Sequence, residues 1–208
     1  DEPMSRPSKI VCIGLNYAKH AAEFGNPIPK EPLIFLKPPS SLVGPGEAIV
    51  MPKGAGQVDY EGEIGVRIGK RARHVSKERA WDFVDGLLAI NDVTARDLQK
   101  SDGQWSRAKG FDTFCPAGAV TPLAKVNRAA LSVTTRVNGK VRQQMGADDM
   151  VFDIPAIIAH VSRIMTLEPG DLIATGTPSG VGPLAPGDVV EVEIGGVGSI
   201  SNPVVAEG

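Results

Sequence analysis

VDYEGEIGVRIG, residues 58–69, is the stretch on which the reading of the chain turns. Along an extended strand, side chains alternate between two faces, which puts Asp59, Glu61 and Glu63 on the same side. Carboxylates are poor strand formers, so a row of them on an otherwise apolar strand needs a reason. Two are open. The face can be the solvated side of an antiparallel sheet. Alternatively, the acids converge on a divalent cation: hard ions such as Mg²⁺ or Mn²⁺ take carboxylate and water oxygens and keep positions open for a chelating substrate.

Upstream, KIVCIGL (9–15) is a nearly continuous apolar run, read as a buried strand with Cys12 as an inert thiol inside it. It leads into NYAKHAAEFGNP (16–27), where Asn16 is placed to cap a brief helix that ends at Gly25. On that helix His20 and Glu23 stand three apart and share a face. They form either an exposed surface pair or a carboxylate-oriented imidazole able to act as a general base. LIFLK (33–37) is a further strand, stopped by Pro38 and Pro39; Lys37 is a snorkelling strand end or a substrate contact.

Downstream, SKERAWDFVDG (76–86) reads as a helix capped by Ser76. In LLAINDVTARDLQ (87–99) an apolar strand ends at Asp92, and Arg96 and Gln99 fall on one face of a helical turn beginning near Thr94. The competing account makes Asp92 the cap of that turn and pairs Arg96 with a neighbouring acid in solvent. Lys109 lies in WSRAKGFDTFCPAGAV (105–120), by default as an exposed loop lysine. LSVTTRVNGKVRQQ (131–144) is a hairpin turning at Asn138-Gly139. From Phe152 to Leu167 apolar residues recur at helical spacing, with Pro155 in the first turn and His160 as a structural residue. TGTPSGVG (175–182) matches neither a phosphate loop nor a dinucleotide fingerprint. It is a tight turn, or a place where Thr175, Thr177 and exposed N–H groups hold a carboxylate. A last hairpin turns through Gly195-Gly196.

The totals narrow the class. A net charge of -2 with both signs interspersed suggests neither a nucleic-acid face nor a membrane-surface patch. Twenty-four glycines and 17 prolines among 208 residues point to many turns and short strands. Cys12 and Cys115 make no disulfide framework or zinc pattern. No apolar run approaches a membrane span and no signal peptide opens the chain, so a soluble, cytoplasmic protein is expected. Residues 1–8 read as a polar tail or an appended remnant, with room for a segment upstream, and 9–208 as one domain. Many strands, two or three helices and no regular βαβ alternation give a mostly-β, α+β fold.

NYAKHAAEFG, LIFLKP, DYEGEIGVRIGKRAR, NDVTARDLQ, RAKGFDTFCPAG, VNGKVRQ and GDLIATGTPSGVGP occur here in the order found in the fumarylacetoacetate hydrolase family. From about Lys9 to Val205 the chain resembles its short single-domain members, the acylpyruvases, fumarylpyruvate hydrolases and oxaloacetate decarboxylases. The resemblance implies a mixed β-sheet roll with a few packed helices, a short lid helix carrying His20 and Glu23, and a homodimer. It implies Glu61, Glu63 and Asp92 as ligands of one Mg²⁺ or Mn²⁺, with Asp59 outside the ligand set. Arg96, Gln99, Lys109, Lys37 and Thr177 match positions that line the substrate site.

The activity so implied is hydrolysis of the C–C bond of an acylpyruvate, giving pyruvate and a carboxylic acid. His20, oriented by Glu23, would be base toward water, and Lys109, with Gln99 and Arg96, would face the oxyanion. Enolate stabilisation at the same site would equally serve oxaloacetate decarboxylation or 2-hydroxyhepta-2,4-diene-1,7-dioate isomerisation. It would serve 5-oxopent-3-ene-1,2,5-tricarboxylate decarboxylation as well. From another class, a non-catalytic module binding a metal and a 2-oxo acid is the alternative.

Overall fold

Short apolar strands punctuated by glycine and proline cannot bury both faces alone, so they stack. A computed structural model describes residues 6–23 and 25–208. In chain order it forms β1 (Ile10–Gly14), α1 (Ala18–Glu23), β2 (Leu33–Lys37), β3 (Leu42–Val43) and β4 (Ile49–Met51). Next come β5 (Val58–Tyr60), β6 (Gly62–Ile68), β7 (Val84–Asn91), β8 (Thr94–Ala95), α2 (Arg96–Asp102) and α3 (Ser106–Gly110). The rest is β9 (Cys115–Pro116), β10 (Thr121–Pro122), β11 (Ser132–Val137), β12 (Lys140–Gly146), α4 (Ile154–Ile164), β13 (Leu172–Ala174), β14 (Gly182–Pro183), β15 (Val189–Ile194) and β16 (Gly198–Ala206).

The larger sheet runs β10-β7-β6-β13-β1-β2, and a second runs β12-β11-β15-β16-β4. They face each other through Ile64 and Val66 of β6, Val133 of β11, Val192 and Ile194 of β15 and Ile200 of β16. The buried face of α4, Ile154, Ile157, Ile158 and Val161, closes the same core. A small sheet, β14-β5-β8, stands beside the two, and β3 pairs with β9. The fold is mostly β with few helices, as expected.

Several local expectations change. Residues 58–69 are two strands, broken at Glu61: β5 pairs with β8 and β14, whereas β6 pairs with β7 and β13. Side chains replace ladder partners at the break, because Glu61 N–H donates to Asn91 Oδ1 and Gly62 N–H to Gln143 Oε1. Residues Lys77–Phe83 form a 3₁₀ helix rather than an α-helix, and Ser76 makes no side-chain cap bond. Asn16 is not a cap either. Its amide donates to the Phe152 and Thr175 carbonyls and accepts from Phe152 N–H, pinning the chain below α1. Gly25, at φ +67°, does lie just past α1, in the left-handed conformation that ends helices.

Asn138 and Gly139, both at positive φ, turn the β11–β12 hairpin as read. Asp153 caps α4 by accepting from Ala156 N–H, with Pro155 in the first turn. Of the expected polar tail, residues 1–5 lie outside the described residues, while Ser8 is tied to Asp171.

Candidate metal centre

The break at Glu61 and the end of β7 bring three carboxylates together. Glu61 sits between β5 and β6, Glu63 on β6, and Asp92 just past β7, whose Asn91 pairs with Gly62. One oxygen from each lies within 4.8 Å of the others, and all three residues are buried. A solvated acidic face is thereby ruled out. Asp59 points to a different duty: it accepts from Arg96 Nε at 2.8 Å and from Gln57 Nε2 at 2.8 Å.

Three buried cations answer the acids. Lys109, expected by default on an exposed loop, is buried on α3. Its Nζ donates to Glu61 Oε2 at 2.9 Å and to Asp92 Oδ2 at 2.7 Å. Lys37 Nζ donates to Asp92 Oδ1 at 2.6 Å and to the Val93 carbonyl, so Asp92 is held from both sides and does not cap the next turn. Arg96 spans Asp59, Glu61 Oε1 at 2.5 Å and Gln99 Oε1 at 2.9 Å. It thus pairs within the site and not with an exposed neighbour.

The charges do not balance. Asp59, Glu61, Glu63 and Asp92 face Lys37, Arg96 and Lys109, four acids against three cations. Glu63 is the one of the four with no direct ion pair among the described residues, and its carboxyl accepts from Gly176 N–H at 2.9 Å. Burial, with Asp92 and Glu61 close by, pushes its carboxyl well above the usual range. Burial acts on Glu61 in the same sense, but the Lys109 and Arg96 charges outweigh it and hold Glu61 well below that range. Burial alone would lower Lys109; Asp92 and Glu61 overcome it and bring the ammonium to about 12, fixed in its charged form. A divalent cation at the triad would favour the ionised form of Glu63 and supply the positive charge that the four ionised acids together lack. An all-oxygen donor set suits a hard ion rather than zinc or copper. The residues fit such an ion.

A cavity of about 340 Å³ opens on the triad, and His20, Arg96, Gln99, Lys109 and Thr177 line it. His20 is buried on α1, with Nδ1 3.4 Å from Glu23 Oε2. The Glu23 carboxylate also lies 3.3 Å from Gly180 N–H. Lys37, fully buried, and Glu23, exposed, are not among the residues that line it. Thr177 reaches the cavity, but its hydroxyl already donates to the Gly62 carbonyl and accepts from Gln143 Nε2.

The layer that supports the site is not visible in the order of the residues. Buried Gln143 on β12 holds Gly62 N–H, Thr177 Oγ1 and the Pro178 carbonyl together. Thr175 Oγ1 donates to the Ile64 carbonyl, locking the 175–178 turn onto β6. The one available signal was Gln143 itself, a polar residue on the inward face of a hairpin strand.

Residues 9–205 match the family model described as fumarylacetoacetate (FAA) hydrolase C-terminal. The chain belongs to the fumarylacetoacetate hydrolase family. It is 45% identical over 217 residues to the oxaloacetate tautomerase YisK of Bacillus subtilis, covering 97% of this chain and 71% of that protein. It is also 45% identical over 214 residues to the mitochondrial oxaloacetate tautomerase fahd2 of Xenopus laevis, covering 98% and 67%. Among solved structures, the 2-hydroxyhepta-2,4-diene-1,7-dioate isomerase of Mycobacterium marinum superposes with a TM-score of 0.90 at 47% identity. That superposition covers 98% of this chain and 76% of the other. These family members point to an enzyme, and the triad of Glu61, Glu63 and Asp92 is a site that could hold a metal. Among the described residues, no helix is long and apolar enough to cross a membrane.

Proposed function

We propose that this protein is a metal-dependent tautomerase, interconverting the enol and keto forms of a short 2-oxo acid, with oxaloacetate the leading substrate. The observation that carries the reading is one cavity holding both a buried imidazole, His20, and the acidic triad. The two tautomerase relatives and the isomerase neighbour favour enol chemistry over the acylpyruvate hydrolysis expected from the motifs alone.

Glu61, Glu63 and Asp92 would hold Mg²⁺ or Mn²⁺, which when bound supplies Lewis acidity that lowers the energy of an enolate. His20 is the group suited to carry the proton. Toward the enol, it takes the proton from C3, and the C–H electron pair becomes the C2=C3 bond as charge moves to the C2 oxygen. A proton from water on that oxygen completes the enol, and His20 passes the C3 proton to solvent; in reverse, the enol oxygen loses its proton to water and His20 returns one to C3. Lys109, held on Glu61 and Asp92, is placed to act on the developing oxyanion by its charge. Arg96 adds a second fixed cation and Gln99 an amide beside it. Phe35 and Trp105 keep one wall of the cavity apolar.

Acylpyruvate hydrolysis is the second reading, favoured by the placement of Glu23 behind His20, which suits activation of a water. Following the absorbance of enol-oxaloacetate with Mg²⁺, in parallel with acetylpyruvate, separates the two. The tautomerase reading expects enol decay well above the spontaneous rate, abolished by EDTA. Spontaneous-rate decay of the enol alongside cleavage of acetylpyruvate overturns it in favour of hydrolysis. The reading extends to a homodimer, for which light scattering is the check; the mass of a single chain overturns that part.

A further inference from the structure

We propose that Trp105, seated on Gly14 and braced by Phe35, is the gauge that limits how long a 2-oxo acid the cavity accepts. The inference rests on the cavity being a 2-oxo acid site and goes on to say which members of that class enter it.

Trp105 sits between α2 and α3, half-buried, with its ring in the cavity wall. The ring has a defined seat. A Cβ at position 14 would lie 2.9 Å from Trp105 Cζ3 and 3.1 Å from Cη2, so only a glycine there lets the indole lie back against β1. Phe35 of β2 meets it edge-on, with centroids 5.1 Å apart at 72°. Packed on two sides, the ring is a fixed wall.

Its distance from the chemistry is short. Lys109 Nζ is 5.9 Å from the Trp105 ring centroid and 4.9 Å from that of Phe35. The same Nζ is 2.9 Å from Glu61 Oε2 and 2.7 Å from Asp92 Oδ2. The acidic cluster and the indole thus line one cavity with Lys109 reaching both, and in this proposal a 2-oxo acid with its reacting end at the cluster has room for a short tail before the ring. Further methylenes run into the ring. A tryptophan that only supported the α2–α3 loop would, when altered, affect every substrate alike. A gauge changes the ratio between short and long ones.

Gly14 and Trp105 give two opposite handles. Trp105→Ala opens the wall, whereas Gly14→Ala pushes the indole into the cavity. The experiment measures kcat/KM for deuterium exchange at C3, by NMR in D₂O with Mg²⁺, for oxaloacetate, 2-oxoglutarate and 2-oxoadipate. The wild type is expected to favour oxaloacetate. Trp105→Ala should raise the ratio of 2-oxoadipate to oxaloacetate by about tenfold or more, the scale on which an apolar wall discriminates methylenes. Gly14→Ala should lower it, and Trp105→Phe, the milder change should Trp105→Ala fail to fold, should fall between wild type and alanine. Ratios within twofold of wild type in folded Trp105→Phe and Gly14→Ala overturn the gauge while leaving the tautomerase reading intact. Exchange of none of the three acids by the wild type overturns both.

Discussion

Gln143 does for the metal centre what no ligand can do for itself. Its two donors and its acceptor are spent on the Thr177 hydroxyl, the Pro178 carbonyl and Gly62 N–H, the residue between Glu61 and Glu63. Truncation to alanine would take from buried Gly62 N–H and the Pro178 carbonyl the partner that Gln143 gives them, at a cost of about 1–3 kcal/mol, while Thr177 keeps its bond to the Gly62 carbonyl. It would also free the peptide that aims two ligands. Gln143→Ala is expected to lower Mg²⁺ affinity about 10–100-fold, the usual effect of removing a support behind a ligand. Titration calorimetry on the folded variant measures it, and urea melts give the stability loss. Unchanged affinity would show that the strand ends alone aim the carboxylates. The acids themselves were legible as residues, since carboxylates in an apolar strand demand explanation. Gln143, Asn91 and the seat of Lys37 were not, because what each one touches lies 30 to 81 positions away in the chain.

At the scale of elements, local chemistry was legible where it dominates and illegible where pairing overrides it. Asn138-Gly139 predicts its hairpin because both residues tolerate the positive φ that the turn requires. Gly139→Ala, at φ +77°, should therefore destabilise the fold by about 1–2 kcal/mol in denaturant unfolding, with the centre untouched. The run 58–69, by contrast, reads as one strand, and nothing in its alternation announces the break at Glu61. The break comes from two sheets claiming its two ends. The entry to β1 shows a further long-range tie. Asp171 accepts from Ser8 N–H and Oγ, Lys9 N–H and Nζ, and Glu168 N–H.

Burial pushes Asp171 upward, but the bonds from Lys9 and Ser8 outweigh it and set the carboxyl below its ordinary 3.8. A folded value below the unfolded one means stabilisation that is full above the unfolded value and fades as pH falls through the folded one. Asp171→Ala should lower unfolding stability by about 2–4 kcal/mol at neutral pH. The gap to wild type should narrow only in acid, below the unfolded carboxyl range. A gap that stays constant into that range would show that the charge on Asp171 contributes nothing.

Across the whole molecule, the centre lies where separate sheets meet. β5 brings the chain to Glu61 from the small sheet, the start of β6 and the end of β7 carry Glu63 and Asp92 at one end of interior strands of the large one, and β12 sends Gln143 from the five-stranded sheet. This arrangement was legible only through the order of motifs, since composition gives a β-rich fold but not which strands become neighbours. It has a thermodynamic consequence. An ion held by Glu61, Glu63 and Asp92 would tie together elements that otherwise part on unfolding, so its binding energy would add to the stability of the whole fold. At a free Mg²⁺ concentration a hundredfold above the dissociation constant, linkage gives about 2.7 kcal/mol. For a chain of this size that corresponds to a rise in Tm of roughly 5–10 °C over the EDTA-treated protein, measurable by scanning calorimetry. Glu61→Gln keeps the shape of the side chain but removes one of the charges the ion needs, and should abolish the rise. An equal rise in that variant would place the stabilising ion elsewhere on the protein.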